Sequence, residues 1–304
     1  MEKDFDIASY EAAAAVLPSR LRKAAMALPE TDKAAAEELR LRAGRPMTVL
    51  LPGGEKALDA DVDPSELETL CDLATEFSRY AAAQTLREGF VPVRGGFRLG
   101  LCGTAVMKDG VNTNLRDLSS AVIRIARERR GVGEDVAAQL FLDGAFQNTL
   151  LLSPPGGGKT TLLRDLVRCL SDGTASTPPL RVSLIDERGE VAVMYRGEAQ
   201  MDVGQRTDVL DACPKAIGIP IVLRAMNPQV IAMDEITARE DLKSAVMAAG
   251  CGVGLLATVH ASGTGELCQR PLYRELLEEG VFKQAVCIRV EDGQRTYQVE
   301  ELPC

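Results

Sequence analysis

Apolar positions follow two different patterns along this chain. Beyond about residue 131, short unbroken apolar runs alternate with helical spacings. Thr149–Leu152, Arg181–Ile185, Val230–Met233 and Gly254–Thr258 read as strands, with helices at Lys159–Leu170, Asp211–Ile217 and Arg239–Ala249. Strands apolar on both faces and separated by helices imply a parallel sheet covered on both sides. "DGTASTPPL", Asp172 to Leu180, is a polar loop leading into the second strand. The closing "VCIRVEDGQRTYQVEEL" alternates about Asp292-Gly293 and predicts a β-hairpin.

The first part of the chain reads differently. Glu11–Val16 and Lys33–Leu41 are rich in Ala and Glu and predict helices. "RPMTVLLPGGEKAL" predicts a strand, a Pro-Gly-Gly turn and a returning strand. In "DPSELETLCDLATEFSRYAAAQTLREG", Asp63-Pro64 marks a helix start and Glu66 lies in its first turn. Leu67, Leu70, Leu73 and Phe77 form an apolar stripe, so one amphipathic helix is expected to run to Gly89. "FVPVRGGFRLGLCGTAVMKDGVN" predicts a small antiparallel sheet, and "DLSSAVIRIARERRG" a linking strand or helix. Two domains follow, 1–130 and 131–304.

Composition narrows the function. A chain of 304 residues, 46% hydrophobic and 26% charged, can bury two cores. The net charge of −9 opposes bulk nucleic-acid binding, which draws most of its affinity from basic surfaces. Only 4% of residues are aromatic and none is Trp, so stacking platforms for single strands are scarce. The basic run Arg124 to Arg130 is local. None of the eight cysteines forms a CxxC pair, which suits reduced cytosolic thiols. The acidic start is unlike a signal peptide, and no run approaches the ~20 apolar residues of a span. Work at a membrane would then mean docking on a protein already embedded there.

The chemistry is concentrated in "LLLSPPGGGKTTLLRDL", Leu150 to Leu166. An apolar strand, a glycine-rich loop and a helix form the context of a phosphate-binding P-loop. There, backbone N–H groups and the helix N-terminus converge on anionic oxygens. The predicted nucleotide contacts are Ser153, Pro154, Pro155, Gly156, Gly157, Gly158, Lys159, Thr160 and Thr161. Lys159 would reach the β- and γ-phosphates, and Thr160 would bind Mg2+. The pattern asks for glycine where Ser153 stands.

Three further elements complete the set. "PQVIAMDEI" ends an apolar strand on Asp234-Glu235. The aspartate suits the Mg2+ shell, and the glutamate suits polarising the attacking water. "LIDERGEVA" places Asp186-Glu187 at another strand end, as a second acidic element orienting water or metal. "LLATVHASG" ends a strand on His260, the chain's one histidine, placed to sense the γ-phosphate. Arg206 and Arg224 are the first candidates for stabilising transition-state charge, within one subunit or across two. Arg94, Arg98 and Arg116 come second.

These segments, with "EGFVPVRGGFRLGLCGTAV", "DLSSAVIRIARE" and "RTDVLDACPKAIGIPIVLRAMNPQVIAMDEI", resemble the stage III sporulation protein AA family. That family is similar to the hexameric ATPases of type II and type IV secretion systems and pilus motors. The resemblance implies an α/β fold, a RecA-like P-loop NTPase domain with a smaller N-terminal α+β domain. It implies ATP and Mg2+ as cofactors and a hexameric homo-oligomer. It also implies a cytoplasmic, mother-cell-side motor docked on an integral membrane protein of a sporulation channel, with no nucleic acid. In its terms Asp234-Glu235 is the Walker-B pair, Asp186-Glu187 the acidic box and His260 the histidine box.

The expected motor would bind ATP between the P-loop domain and an adjoining surface of the same or the next subunit. Movement of the first domain, through a linker near Arg127 to Gly133, would then be passed to the docked partner. A recombinase-type nucleic-acid motor and a nucleotide-gated scaffold with little hydrolysis remain the alternatives. A transporter of the ABC class needs an "LSGGQ"-type signature ahead of the acidic strand, and the only similar text, "ASGTGE", lies behind it.

Overall fold

Residues 2–80, 82–87, 89–125, 128–291 and 294–302 are described by the computed structural model. The chain divides into two units, Met1–Glu128 and Arg129–Cys304. The expected Asp292-Gly293 turn and Arg127 of the expected linker lie outside the described residues.

In the first unit, helices α1 (Glu2–Ala15), α2 (Ser19–Met26) and α3 (Glu30–Ala35) precede strands β1 (Glu38–Arg42), β2 (Pro46–Leu51) and β3 (Gly54–Asp61). Helices α4 (Pro64–Ala74) and α5 (Ala83–Arg87) lead to β4 (Phe90–Val93), β5 (Phe97–Lys108) and β6 (Val111–Arg124). The strands form one sheet in the order β3-β2-β1-β6-β5-β4, every neighbouring pair antiparallel. Leu39, Leu41, Val49, Leu99 and Ile123 share a core with Tyr10, Leu21, Leu67 and Leu70 of the helices.

Three expectations for this unit need correcting or completing. The helix expected over Lys33–Leu41 stops at Ala35, and "ELRLR" is strand β1, with Leu39 and Leu41 buried and the residues between them less so. Period-two burial against β2 and β6 overrides the helical propensity of Glu, Leu and Arg. The long helix expected to Gly89 starts as read, with a capping box between Asp63 and Glu66 and Pro64 in the first turn. It ends at Ala74, where Glu76 and Phe77 adopt left-handed conformations. Leu67 and Leu70 reach the core, but Leu73 and Phe77 are exposed, so nothing extends the stripe. "DLSSAVIRI" completes the long strand β6.

The second unit opens with α6 (Glu134–Gln139) and the short pair β7 (Phe141–Leu142) and β8 (Ala145–Phe146). Then come β9 (Thr149–Ser153), α7 (Lys159–Asp172), β10 (Val182–Asp186), the short pair β11 (Met194–Tyr195) and β12 (Glu198–Ala199), and β13 (Thr207–Asp211). They are followed by α8 (Lys215–Ala225), β14 (Val230–Glu235), α9 (Arg239–Gly250) and β15 (Gly254–His260). Helices α10 (Thr264–Leu267) and α11 (Pro271–Glu278) precede the closing hairpin β16 (Gln284–Glu291) and β17 (Gln294–Glu301). The sheet order is β13-β10-β14-β15-β9-β16-β17, parallel except for β16 with β17.

Both faces of this sheet are covered, and the strands divide their side chains between two cores. Leu150 and Leu152 pack with α8, α9 and α11, whereas Leu151 packs with α6 and α7. The helix expected over Asp211–Ile217 is corrected: Asp211 ends strand β13, and α8 starts at Lys215 after Pro214. Proline biases Cys213 before it to extended backbone, which delays the helix.

One surface cluster of the first unit gives a pH-dependent prediction. Glu55 accepts from Arg42 Nη1 and Nη2 at 2.8 and 3.0 Å and from Thr48 Oγ1 at 2.8 Å. These bonds hold its carboxyl at about 2 against an ordinary 4.5. A depressed folded value stabilises above the unfolded value, and that contribution fades as pH falls from 4.5 toward about 2. The difference between the thermal unfolding midpoints of wild type and Glu55→Gln should be largest at pH 6 and shrink to a small remainder by pH 2. A gap that keeps its full size at pH 2 contradicts the assignment.

Candidate active site

The carboxyl ends of β9, β10, β14 and β15 lie along one edge of the parallel sheet, and the predicted site residues gather there. Register sets the neighbours: His260 at the end of β15 stands opposite Ser153 at the end of β9. On β14 the pairing slips between Met233 and Glu235, so Asp234 is the extra residue of a β-bulge and Glu235 pairs opposite Thr258. A bulge re-aims side chains. The two consecutive carboxylates accordingly reach different partners.

Lys159 is the first residue of α7, and its side chain is buried in the loop. Its Nζ donates to the Ser153 carbonyl at 2.8 Å and the Pro154 carbonyl at 3.3 Å, and lies 2.7 Å from His260 Nδ1. An ammonium can only donate, so Nδ1 accepts and the ring proton sits on Nε2. That nitrogen lies 3.0 Å from Glu235 Oε2. Lys159, His260 and Glu235 therefore form one hydrogen-bonded chain. Arg188 Nη1 approaches the same Glu235 oxygen at 3.5 Å. Burial pushes the Lys159 ammonium below its ordinary value, and the Glu235 charge opposes that in part.

The serine at the loop's entrance fills space that glycine would leave empty. Ser153 is buried, and its Oγ donates to the Pro154 carbonyl at 2.9 Å. A Cβ on Gly157 would lie 1.7 Å from that Oγ, so any larger residue at 157 would force Ser153 to move. Gly158 has φ +101, in the left-handed region, and a Cβ there would meet Arg295 Nε at 2.8 Å. Arg295 comes from β17 and donates from Nε to the Gly157 carbonyl at 3.1 Å. Pro154, Pro155 and Gly156 form the exposed crest of the loop, while Thr160 and Thr161 are half-buried in the first turn of α7.

The two members of the expected acidic box separate. Asp186 is fully buried and accepts from the backbone N–H groups of Glu190, Val191 and Ala192 at 2.8 to 3.0 Å. This corrects the expectation that Asp186 orients water or metal, because its oxygens are committed to folding the loop. Arg164 of α7 holds the same loop, donating to the carbonyls of Val191 and Glu190 at 2.6 and 2.7 Å. Glu187 does reach the site. Its Oε2 lies 2.6 Å from Lys215 Nζ, and the same ammonium lies 2.6 Å from Asp234 Oδ1. Burial alone would raise Glu187, but the hydrogen bonds and charge of Lys215, with the charge of Arg188, together outweigh burial and lower it. Asp234 is raised by burial, with Lys215 opposing.

The favoured arginines do not reach the site of their own chain. Arg206 donates from its backbone to Ser171 Oγ at 2.6 Å and from Nη1 to the Ser171 carbonyl at 3.2 Å. Ser171 is near the far end of α7, about 18 Å from Lys159 at 1.5 Å per residue. Arg224 bonds the Pro220 carbonyl at 3.0 Å near the end of α8, ahead of the amino end of β14. Both lie toward the amino edge of the sheet. Arg98 of the first unit stacks 3.7 Å over the Phe90 ring, Arg116 lies 3.6 Å from Asp117, and Arg94 is exposed. Arg188, Lys215 and Arg295 are the cations that the sequence reading gave no role. Arg188 and Lys215 sit inside the quoted segments "DERGE" and "DACPK", whereas Arg295 has no signal beyond its hairpin.

The profile of the family described as "Sporulation stage III, protein AA" matches residues 9–299. The chain belongs to this family. Stage III sporulation protein AA of Bacillus subtilis (strain 168) is 37% identical over 269 residues, covering 88% of this chain and 87% of that protein. Among solved structures, the ATPase DotB of Legionella pneumophila superposes with a TM-score of 0.57 at 14% identity, over 98% of this chain and 80% of its own. The pilus retraction motor PilT, solved with bound ADP, gives 0.58 at 18%, over 88% and 79%. The shared fold is a RecA-like P-loop domain with an N-terminal domain. Among the described residues no helix is long and apolar enough to cross a membrane.

The contact between Ser153 and Gly157 gives this member of the family a testable coupling. Gly157→Ala should destabilise the second unit by about 1–3 kcal/mol through overpacking. Adding Ser153→Gly should restore most of the loss, a non-additivity read from unfolding midpoints in a double-mutant cycle. Additive losses would mean the two side chains do not meet.

Proposed function

We propose that this protein hydrolyses ATP, with Lys159 binding the γ-phosphate, Glu235 acting as the base and His260 joining the two. The observation that carries this reading is the unbroken chain from Lys159 through His260 to Glu235. Lys159 is held by two carbonyls and an imidazole, all neutral acceptors, and a phosphate oxygen competes well against them. Glu235 is the base: it takes a proton from water as the water oxygen attacks the γ-phosphorus and the bond to the ADP oxygen breaks. His260 donates from Nε2 to Glu235, so loss of Lys159 from Nδ1 is felt at the base. This is the γ-phosphate sensing proposed for it.

The residues fit a divalent cation. Asp234 Oδ2 is buried and has no hydrogen-bond partner, and an acceptor left so costs about 1–3 kcal/mol. No group of three His, Cys, Asp or Glu side chains among the described residues could hold a metal alone. That suits Mg2+, which is usually held by one or two side chains together with substrate phosphates and water. Thr160 and, through water, Asp234 would hold it. The ion supplies neutralisation of phosphate charge when bound.

Membership in a sporulation family, together with the fold, supports a ring-forming motor, hexameric in this reading, acting on a membrane-embedded sporulation complex from its cytoplasmic side. Because Arg206 and Arg224 face away from their own site, any arginine finger they supply would act across subunits.

Lys159→Ala should abolish nucleotide binding. Glu235→Gln should keep binding and lower turnover at least about 100-fold. Steady-state Mg-ATP hydrolysis per subunit, followed over a wide range of protein concentration, tests both the base and the ring. Normal turnover by Glu235→Gln would remove Glu235 as the base, and turnover independent of concentration would remove the shared site.

A further inference from the structure

Lys215 breaks a local rule. It is the first residue of α8, at the positive end of the helix dipole, where a cation is unfavourable, and it is 2% exposed. A helical side chain leans toward its helix N-terminus, so Lys215 projects toward the strand ends rather than along the helix. There its ammonium meets Glu187 Oε2 and Asp234 Oδ1, both at 2.6 Å, from two separate strand ends. Breaking local preference at a buried, doubly paired position marks a functional constraint.

The oxygen that Lys215 does not take, Asp234 Oδ2, is the buried acceptor without a partner. We propose that Lys215 is a positioning residue for the divalent cation. It holds Asp234 by Oδ1, leaving Oδ2 for the ion's hydration shell, and it ties that setting to Glu187. The inference rests on the ATPase reading above. A lysine suits this place because its compact charge serves two acceptors from different elements, while the planar fork of arginine favours a single carboxylate.

The test separates metal from nucleotide. Affinity for a fluorescent ADP analogue is measured in EDTA and then along a Mg2+ titration, for wild type, Lys215→Met, Lys215→Arg and Glu187→Gln. Lys215→Met should bind the analogue as wild type does in EDTA, yet need at least about tenfold more Mg2+ to reach half of its metal-linked gain. Lys215→Arg should recover part of that shift. Glu187→Gln, which keeps the lysine and removes one arm, should shift in the same direction by less, and it carries the test if Lys215→Met does not fold. An unchanged Mg2+ response in Lys215→Met, or in Glu187→Gln where that variant carries the test, overturns the inference. Equal loss of affinity with and without metal overturns it too, since the lysine is then a strut. A wild type that binds no nucleotide in either buffer overturns the ATPase reading, and this inference falls with it.

Discussion

A buried ammonium needs acceptors, and the carboxyl edge of the second unit's sheet is organised around two of them. Lys159 opens α7 and Lys215 opens α8. Each stands at a helix N-terminus, against the dipole, and each is drawn down onto a neighbouring strand end. Lys159 gathers the end of β9 and, through His260, the end of β15. Lys215 gathers the end of β14 and the residue after β10. Four adjacent strands are thereby connected through two side chains. The bulge at Asp234 lets consecutive carboxylates on β14 serve both lysines: Asp234 directly, and Glu235 by way of His260.

The loop between β9 and α7 shows how an unusual residue is accommodated. Serine at 153 occupies volume that the glycine of the usual pattern leaves open. Gly157 gives up that volume, and Arg295 fills the side next to Gly158. The loop is thus packed from within by Ser153 and from outside by the closing hairpin. Its crest of Pro154, Pro155 and Gly156 is exposed. Glycine content alone does not report such packing, because the partners of Gly157 and Gly158 are 4 and 137 residues away.

Much of this was legible in the sequence because it follows from strand ends. Apolar runs locate β9, β10, β14 and β15, and ligands of open α/β sheets bind at the carboxyl edge, so the strand ends bearing Lys159, Asp186, Glu187, Asp234, Glu235 and His260 are expected along one edge. What escaped depends on direction rather than position. Asp186 and Glu187 are adjacent, yet one folds the loop and the other faces Lys215, a distinction made by backbone geometry. Arg206 and Arg224 lie close to the acidic strand in sequence but before its amino end, so the chain must cross the whole sheet to reach the site. Leu39 and Leu41 were lost to helix because propensity outweighed alternation in a run of five residues. The stripe from Leu67 to Phe77 was extended too far because a sequence does not tell where the core beneath a helix ends.

The two lysines differ in a way that bears on how such an edge can change state. The partners of Lys159 are neutral, and burial lowers its ammonium below the ordinary value. An anionic oxygen adds full charge–charge attraction that a carbonyl or imidazole lacks, so an arriving anion can displace two carbonyls and an imidazole. The partners of Lys215 are two carboxylates, and they raise its ammonium despite burial. Removing it would leave the largely buried Asp234 without its cation, while the partly exposed Glu187 would turn to water. One cation faces neutral acceptors and the other faces two carboxylates. Displacing Lys159 frees Nδ1 of His260, whose other nitrogen still holds Glu235, while Lys215 keeps Asp234 and Glu187 in place. The two neighbouring carboxylates of β14 are thus held by different kinds of contact, Glu235 through an imidazole shared with Lys159 and Asp234 by a direct ion pair with Lys215.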